Sequence, residues 1–230
     1  MSQVQVTILA AGMGTRLGRP FPKPLTRLAN GQTIMEQQVE NIKGVFGEDV
    51  RIMIVVGFKN DSVMEHQPDA VFVYNEVYDQ TNTSKSLLKA LRASHEGSVI
   101  WMNGDVVFDR VILERLTPFI VSGRSAVAVN TSAVAEEEVK YTVDDRGYVK
   151  ELSKTVVGGL GEAVGINLIG GKDKIALIRQ LEACDDQDYF ERGIELAIAH
   201  DGIEVTPVDI SDLFAVEVDF EGDLERANAR

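Results

Sequence analysis

The stretch Leu9-Ala10-Ala11-Gly12-Met13-Gly14-Thr15-Arg16-Leu17, followed by Pro22-Lys23-Pro24-Leu25, decides how the rest of this 230-residue chain is read. It continues an apolar run, Val4 to Ala10, that is short and unbroken, as a strand covered on both faces is. Gly12 and Gly14 end the run, so the chain leaves a sheet into a loop of small residues. Such a loop lets backbone N–H groups approach phosphate oxygens, and Arg16 and Lys23 can neutralise charge there. Two common phosphate loops fail on spacing. Leu17 stands where a dinucleotide site needs its third glycine, and no Gly-Lys-Ser/Thr triplet follows. The bland alternative is a strand-to-loop turn with exposed basic residues.

Outward from this loop, strand and helix patterns alternate. Met35, Val39 and Ile42 fall at helical spacing, and Arg51 to Val56 reads as the next buried strand. Ala70 to Tyr74 and Ser98 to Met102 read as strands around a helix from Ser84 to Ser94. Asp109 is placed to cap a helix carrying Val111, Ile112 and Leu116, and Ser125 to Asn130 returns as a β segment. This alternation predicts an α/β fold with a mostly parallel, doubly wound, Rossmann-like sheet. Beyond residue 130 the character changes. Val139 to Val143 and Tyr148 to Leu152 flank Asp144-Asp145-Arg146-Gly147, a hairpin turn that predicts a small antiparallel insertion. Ala163 to Ile169, a helix over Tyr189 to His200 and a strand over Leu213 to Val218 complete the pattern.

A net charge of −13 disfavours a nucleic-acid partner, because no basic stripe offsets it. A small phosphate-bearing ligand responds instead to a few local donors. The single cysteine, Cys184, forms no internal disulfide, so a reducing cytoplasmic setting is expected. Val4 to Ala11 is too short for a membrane span, and no membrane partner is expected.

Asn103-Gly104-Asp105 follows one apolar run, and Glu217-Val218-Asp219 ends another. A carboxylate at the C-terminal edge of a parallel sheet points into the ligand crevice, and Asp105 and Asp219 could share one Mg²⁺ with triphosphate oxygens. Either aspartate alone could equally cap a helix or shape a turn. Asn82 and Ser84 lie in a polar stretch, Tyr74 to Leu87, ahead of a helix; physics alone favours a capping role for them. Glu136-Glu137-Glu138 reads as a solvated loop face. The histidines His66, His95 and His200 are too dispersed for a metal or nucleophile site. Phe190 and Trp101 read as core.

The Gly-x-Gly-Thr-Arg loop followed by Pro-Lys resembles the sugar-phosphate nucleotidyltransferases. The length suits one large α/β domain or a domain with a small appendage, taken as a single domain over residues 1–230; the resemblance implies that residues 1–130 bind nucleotide and residues 131–230 bind the acceptor and close the site. It implies that Leu9, Ala10, Ala11, Gly12, Met13, Gly14 and Thr15 wrap a nucleoside triphosphate, that Arg16 and Lys23 act on phosphates as catalytic residues, and that Asp105 and Asp219 hold Mg²⁺. Tyr74-Asn75-Glu76-Val77-Tyr78 is similar to the phosphocholine cytidylyltransferase branch, which implies CTP as donor, with Asn82, Ser84, Asn103 and Gly104 near the nucleotide. The same resemblance implies an acceptor phosphate at Lys154 and acceptor contacts at Glu162 and Asn167; for a choline-like acceptor, whose quaternary ammonium needs aromatic faces or a carboxylate, Tyr78, Tyr141, Asp188 and Tyr189 could contribute. A sugar 1-phosphate acceptor and a non-catalytic nucleotide binder are the alternatives.

Overall fold

A computed structural model describes residues 4–14, 17–132 and 138–229. The opening run forms β1 (Gln5–Ala10), buried throughout as its composition requires. After a short 3-10 turn at Lys23–Leu25 comes α1 (Ile34–Phe46). Thr33 and Glu36 cap α1 reciprocally: the Glu36 N–H donates to Thr33 Oγ1 at 3.1 Å and the Thr33 N–H to Glu36 Oε2 at 2.6 Å. Then follow β2 (Arg51–Val56), α2 (Asn60–His66), β3 (Val71–Tyr74), α3 (Thr83–Ala93), β4 (Val99–Asn103), β5 (Val106–Phe108), α4 (Val111–Ser122) and β6 (Ser125–Asn130). The remainder is β7 (Lys140–Val143), β8 (Val149–Ser153), β9 (Glu162–Ile169), α5 (Lys174–Ala183), α6 (Phe190–Asp201), β10 (Val205–Asp209), β11 (Ala215–Glu217) and α7 (Glu221–Asn228).

The main sheet runs β10-β6-β9-β4-β1-β2-β3. β1 pairs in parallel with β2 on one side and β4 on the other, so the strand order reverses at β1. Loops leaving β1 and β4 therefore diverge above their C-terminal edges and open a crevice there. The expected α/β class holds, and one strand departs from the parallel pattern. β9 lies antiparallel between β4 and β6, which brings its first residues to the crevice edge and its last to the opposite edge.

Alternate residues of β1 feed two cores. Val6, Ile8 and Ala10 pack with residues of α1, α2 and α4, while Leu9 packs on the other face with residues of α3, α5 and α6. Trp101 and Phe190, both expected in the core, are buried there and meet edge to face with centroids 5.6 Å apart. The expected hairpin is β7–β8, whose turn is held by Asp144: its Oδ1 accepts the N–H groups of Arg146 and Tyr148. Its open end joins β9 through Lys140 and Glu162, so Lys154, just past β8, sits beside the crevice.

Asp109 departs from its expected role. Its carboxylate accepts the Phe214 N–H at 2.9 Å, while Arg110 occupies the N-cap of α4. That bond reinforces the antiparallel pairing of β5 with β11, a small second sheet. No helix among the described residues is long and apolar enough to cross a membrane.

Candidate active site

Two glycines fix the walls of the crevice. Gly104 donates its N–H to Leu9 O at 2.9 Å, and a Cβ there would stand 2.8 Å from both that oxygen and the Pro24 ring. Gly14 takes φ +60°, and a Cβ on it would lie 2.7 Å from Lys23 Cγ. Both positions press the loop after β1 and the turn after β4 against the Lys23–Leu25 turn. Lys23 consequently projects into a crevice enclosing about 880 Å³, mouth included.

There the Lys23 ammonium donates to Asp105 Oδ2 at 3.0 Å and to Asp219 Oδ1. Burial alone would lower the Lys23 pKa; Asp105 and Asp219 outweigh it and raise it above the usual value, so the ammonium stays charged. Distant parts of the chain bring the carboxylates together. Val218 donates its N–H to Asp105 O at 2.9 Å, continuing the β5–β11 pairing, and Asp223 Oδ2 accepts the Asp219 and Phe220 N–H groups at the start of α7.

Beneath the turn lies Gln38, wholly buried on α1, whose Nε2 donates to Asn103 O at 2.9 Å and Val106 O at 2.8 Å. Asn103 in turn donates Nδ2 to Glu217 Oε1 at 3.2 Å. Burial first, then the charges of Asp105, Asp219, Glu138 and Glu191, push the Glu217 carboxyl well above its usual range.

The expected site residues divide. Leu9, Ala10, Gly12, Gly14, Lys23, Asn103, Gly104 and Asp105 line the crevice on one side, and Lys154 and Tyr189 line it on the other. Met13 is exposed, and Ala11 is buried, its carbonyl accepting the Phe58 N–H. Thr15 and Arg16 lie outside the described residues. Asn82 caps α3, its Oδ1 accepting the Thr83 N–H at 2.8 Å, and Ser84 is buried beneath.

Two expected acceptor residues do not line the crevice. Asn167 pairs with Trp101 and Val127 in mid-sheet and is buried, because the antiparallel run of β9 carries it away from the crevice edge. Asp188 closes its own turn by accepting the Asp185 N–H at 2.9 Å. Glu162 opens β9 at the crevice edge, at the junction with β6 and β7 and beside the lining residue Ala163.

Three carboxylates line the crevice unforeseen: Glu138, Glu191 and Glu217. Glu138 corrects the expectation of a solvated loop face. Burial, then Glu162, raises its pKa, while Glu136 and Glu137 lie outside the described residues. Like charges in a row read as solvated, and only the β7–β9 junction turns the last of them inward.

The donor chemistry suits a small hard cation. Two carboxylates already converge on one ammonium, and Mg²⁺ is commonly held by one or two carboxylates together with substrate phosphates. Among the described residues no larger cluster of His, Cys, Asp or Glu could hold a metal.

A family model described as MobA-like NTP transferase domain matches residues 6–184. CMP-5'-(3-aminopropyl)phosphonate synthase of Streptomyces rubellomurinus is 30% identical over 99% of the chain, which spans 38% of that relative's length. The bifunctional protein GlmU of Synechococcus elongatus is 33% identical over 45% of the chain and 23% of its own length. Among solved structures, the CTP:phosphocholine cytidylyltransferase of Streptococcus pneumoniae superposes with a TM-score of 0.78 at 18% identity, covering 99% of this chain and 98% of that one. The inositol-1-phosphate CTP transferase of T. maritima follows at 0.77 and 15% identity, covering 97% and 92%. At these identities the structures speak to the fold.

Proposed function

The chain belongs to the MobA-like NTP transferase domain family, and on that premise we propose that it transfers CMP from CTP to a small acceptor bearing a phosphonate or phosphate. The observation that carries this reading is the convergence of Lys23, Asp105 and Asp219 at the strand-order reversal. The activity for which the Streptomyces relative is named, similar along 99% of the chain, supports cytidine as the base and a phosphonate as the acceptor group.

In the proposed reaction an acceptor oxygen bonds to the α-phosphorus of CTP, the bond from that phosphorus to the α,β-bridging oxygen breaks, and pyrophosphate leaves with the electron pair. The acceptor oxygen is already ionised near neutral pH, so no general base is needed. The chain contributes position and countercharge. Backbone around Gly12 and Gly14 approaches the phosphates, Lys23 faces the reacting phosphorus, and Lys154 meets the acceptor's anionic end. Arg16 is proposed to act on the departing pyrophosphate. Asp105 and Asp219 would hold Mg²⁺, which when bound supplies countercharge to the triphosphate.

A sugar 1-phosphate acceptor is the second reading, supported by the resemblance of the Gly-x-Gly-Thr-Arg loop and its Pro-Lys to the sugar-phosphate nucleotidyltransferases. Pyrophosphate release separates the two. CTP, UTP, ATP, GTP and dTTP are each paired with aminoalkylphosphonates, phosphocholine and sugar 1-phosphates, with Lys23→Ala and Asp105→Ala as controls. Release that needs CTP and a phosphonate or phosphocholine, and is lost in both variants, supports the first reading. Release with sugar 1-phosphates alone supports the second, and a chain that binds CTP without turnover refutes both.

A further inference from the structure

We propose that the Glu191 carboxylate is the counter-ion for a positively charged end of the acceptor, so that the substrate class is zwitterionic: an anionic phosphonate or phosphate at one end and an ammonium at the other. The inference rests on the reading of the crevice as a nucleotidyl-transfer site and adds a specificity residue to it.

Glu191 lies in the first turn of α6 and lines the same crevice as Lys23 and Lys154. The residue is 8% exposed, and its Oε2 has no hydrogen-bond partner among the described residues. Carboxylates in a first helical turn complement the helix dipole, and they ordinarily do so in contact with water. Here water is largely excluded, and a buried charge without a partner is costly. One turn further, Glu195 shows the usual solution, accepting the Leu152 N–H at 2.9 Å. The Glu191 carboxyl accepts its own backbone N–H, but its Oε2 has no such relief among the described residues.

Its position is fixed rather than adaptable. Asn82 donates its N–H to Asp186 O at 2.7 Å, Ser84 to Asp188 O at 3.2 Å, and Phe190 to Thr83 Oγ1 at 3.1 Å. These bonds clamp the start of α6 to the start of α3, and Phe190 is locked in the core beside Trp101. The backbone that carries Glu191 is therefore held at the crevice wall.

Negative charge outnumbers positive in the surroundings. Burial pushes the Glu191 carboxyl up to about 7, against the pull of its own N–H and of Lys154. Four lining carboxylates (Asp105, Glu138, Glu191, Glu217) face two lysines, and Lys23 is already engaged by Asp105 and Asp219. Next to Glu191, the Tyr189 ring carries the Lys154 ammonium 5.3 Å from its centroid, so this end of the crevice already receives one alkylammonium. An acceptor's ammonium would bring Glu191 its missing charge while its anionic end engages Lys154. Neutral sugar hydroxyls could bond the carboxylate but would leave its charge uncompensated.

The test pairs 3-aminopropylphosphonate with 3-hydroxypropylphosphonate, of similar length but with a neutral end. Binding to the full chain is measured by calorimetry with CTP and Mg²⁺, and transfer by pyrophosphate release, in wild type and Glu191→Gln. The amine should bind wild type about 10- to 100-fold more tightly than the alcohol, the range of a charge-assisted contact. Glu191→Gln should erase that preference through the acceptor's KM while CTP binding and the alcohol's affinity stay within about 3-fold. Equal binding of amine and alcohol, no amine binding at all, or equal loss of both ligands in Glu191→Gln would overturn the proposal. Turnover confined to sugar 1-phosphates would also sink it while leaving nucleotidyl transfer intact; CTP binding without any turnover would sink the transfer reading itself.

Discussion

Lys23 Nζ stands 3.0 Å from Asp105 Oδ2 and bonds Asp219 Oδ1 as well, so one ammonium joins two carboxylates that lie 114 positions apart in the chain. Any cation entering between those carboxylates competes with Lys23, and Lys23 is released toward phosphate as it does so. Lys23→Met removes the competitor and nearly keeps the side-chain volume. Its melting temperature should rise more on adding Mg²⁺ than that of wild type, because a ligand that binds only the folded state stabilises in proportion to its affinity. Equal gains would argue against the two-carboxylate metal site. Turnover of the same variant should fall about 10²- to 10³-fold, the usual cost of losing one charge-stabilising donor.

Gln38 holds the Asn103–Val106 turn from below with two bonds in a fully buried setting. Replacing it with Leu leaves two buried carbonyls short of a donor, at a cost of about 1 to 3 kcal/mol. Denaturant unfolding should show that loss, and kcat should fall more than the KM for CTP, because Asp105 rides on the turn. Unchanged stability would mean the turn is held without Gln38.

Gly104 and Gly12 make a controlled pair. A Cβ at Gly104 meets backbone and a proline ring, neither of which can rotate away, whereas a Cβ at Gly12 meets nothing within 4 Å. Gly104→Ala should cost about 1 to 3 kcal/mol, typical of overpacking, and displace Asp105 from Lys23. Gly12→Ala should fold with near wild-type stability. The reverse order in thermal melts would contradict the packing described at the crevice wall.

What the sequence revealed, and what it hid, follows from the range of the interactions. The loop after β1, Lys23 and Asp105 were legible because a buried strand ending in glycines is a local pattern, and Asp219 because it ends another apolar run. The insertion of β9 between β4 and β6 was not, because strand order is settled by pairing across the chain; Asn167, expected at the acceptor, consequently lies in mid-sheet. β10 was missed since Pro207 interrupts its pattern, which an edge strand tolerates. Asp188 and Asn82 have the side chains that bind ligands and also those that close turns, and here both serve the backbone. Glu191 looked like any acidic residue opening a helix. Only the clamp between α3 and α6 makes its carboxylate a buried one.

That burial has a consequence for pH. The Glu191 carboxyl moves from its ordinary 4.5 to about 7 in the fold, with Lys154 drawing it down and Glu195, together with the nearby Glu217, opposing ionisation. Between those values the folded chain retains a proton that the unfolded chain has released, so this residue's contribution favours folding below about pH 4.5 and is lost as pH rises through about 7. Glu191→Gln mimics the protonated form and does not ionise. Its unfolding free energy should match wild type near pH 4 and exceed it at pH 8.5 by an amount on the order of 1 to 3 kcal/mol. Adding 3-aminopropylphosphonate with CTP at pH 8.5 should narrow the gap, since the bound ammonium compensates the charge in wild type alone. A stability difference that stays constant from pH 4 to pH 8.5 would show that Glu191 remains ionised throughout, and the buried carboxylate would then have found a partner other than the one proposed.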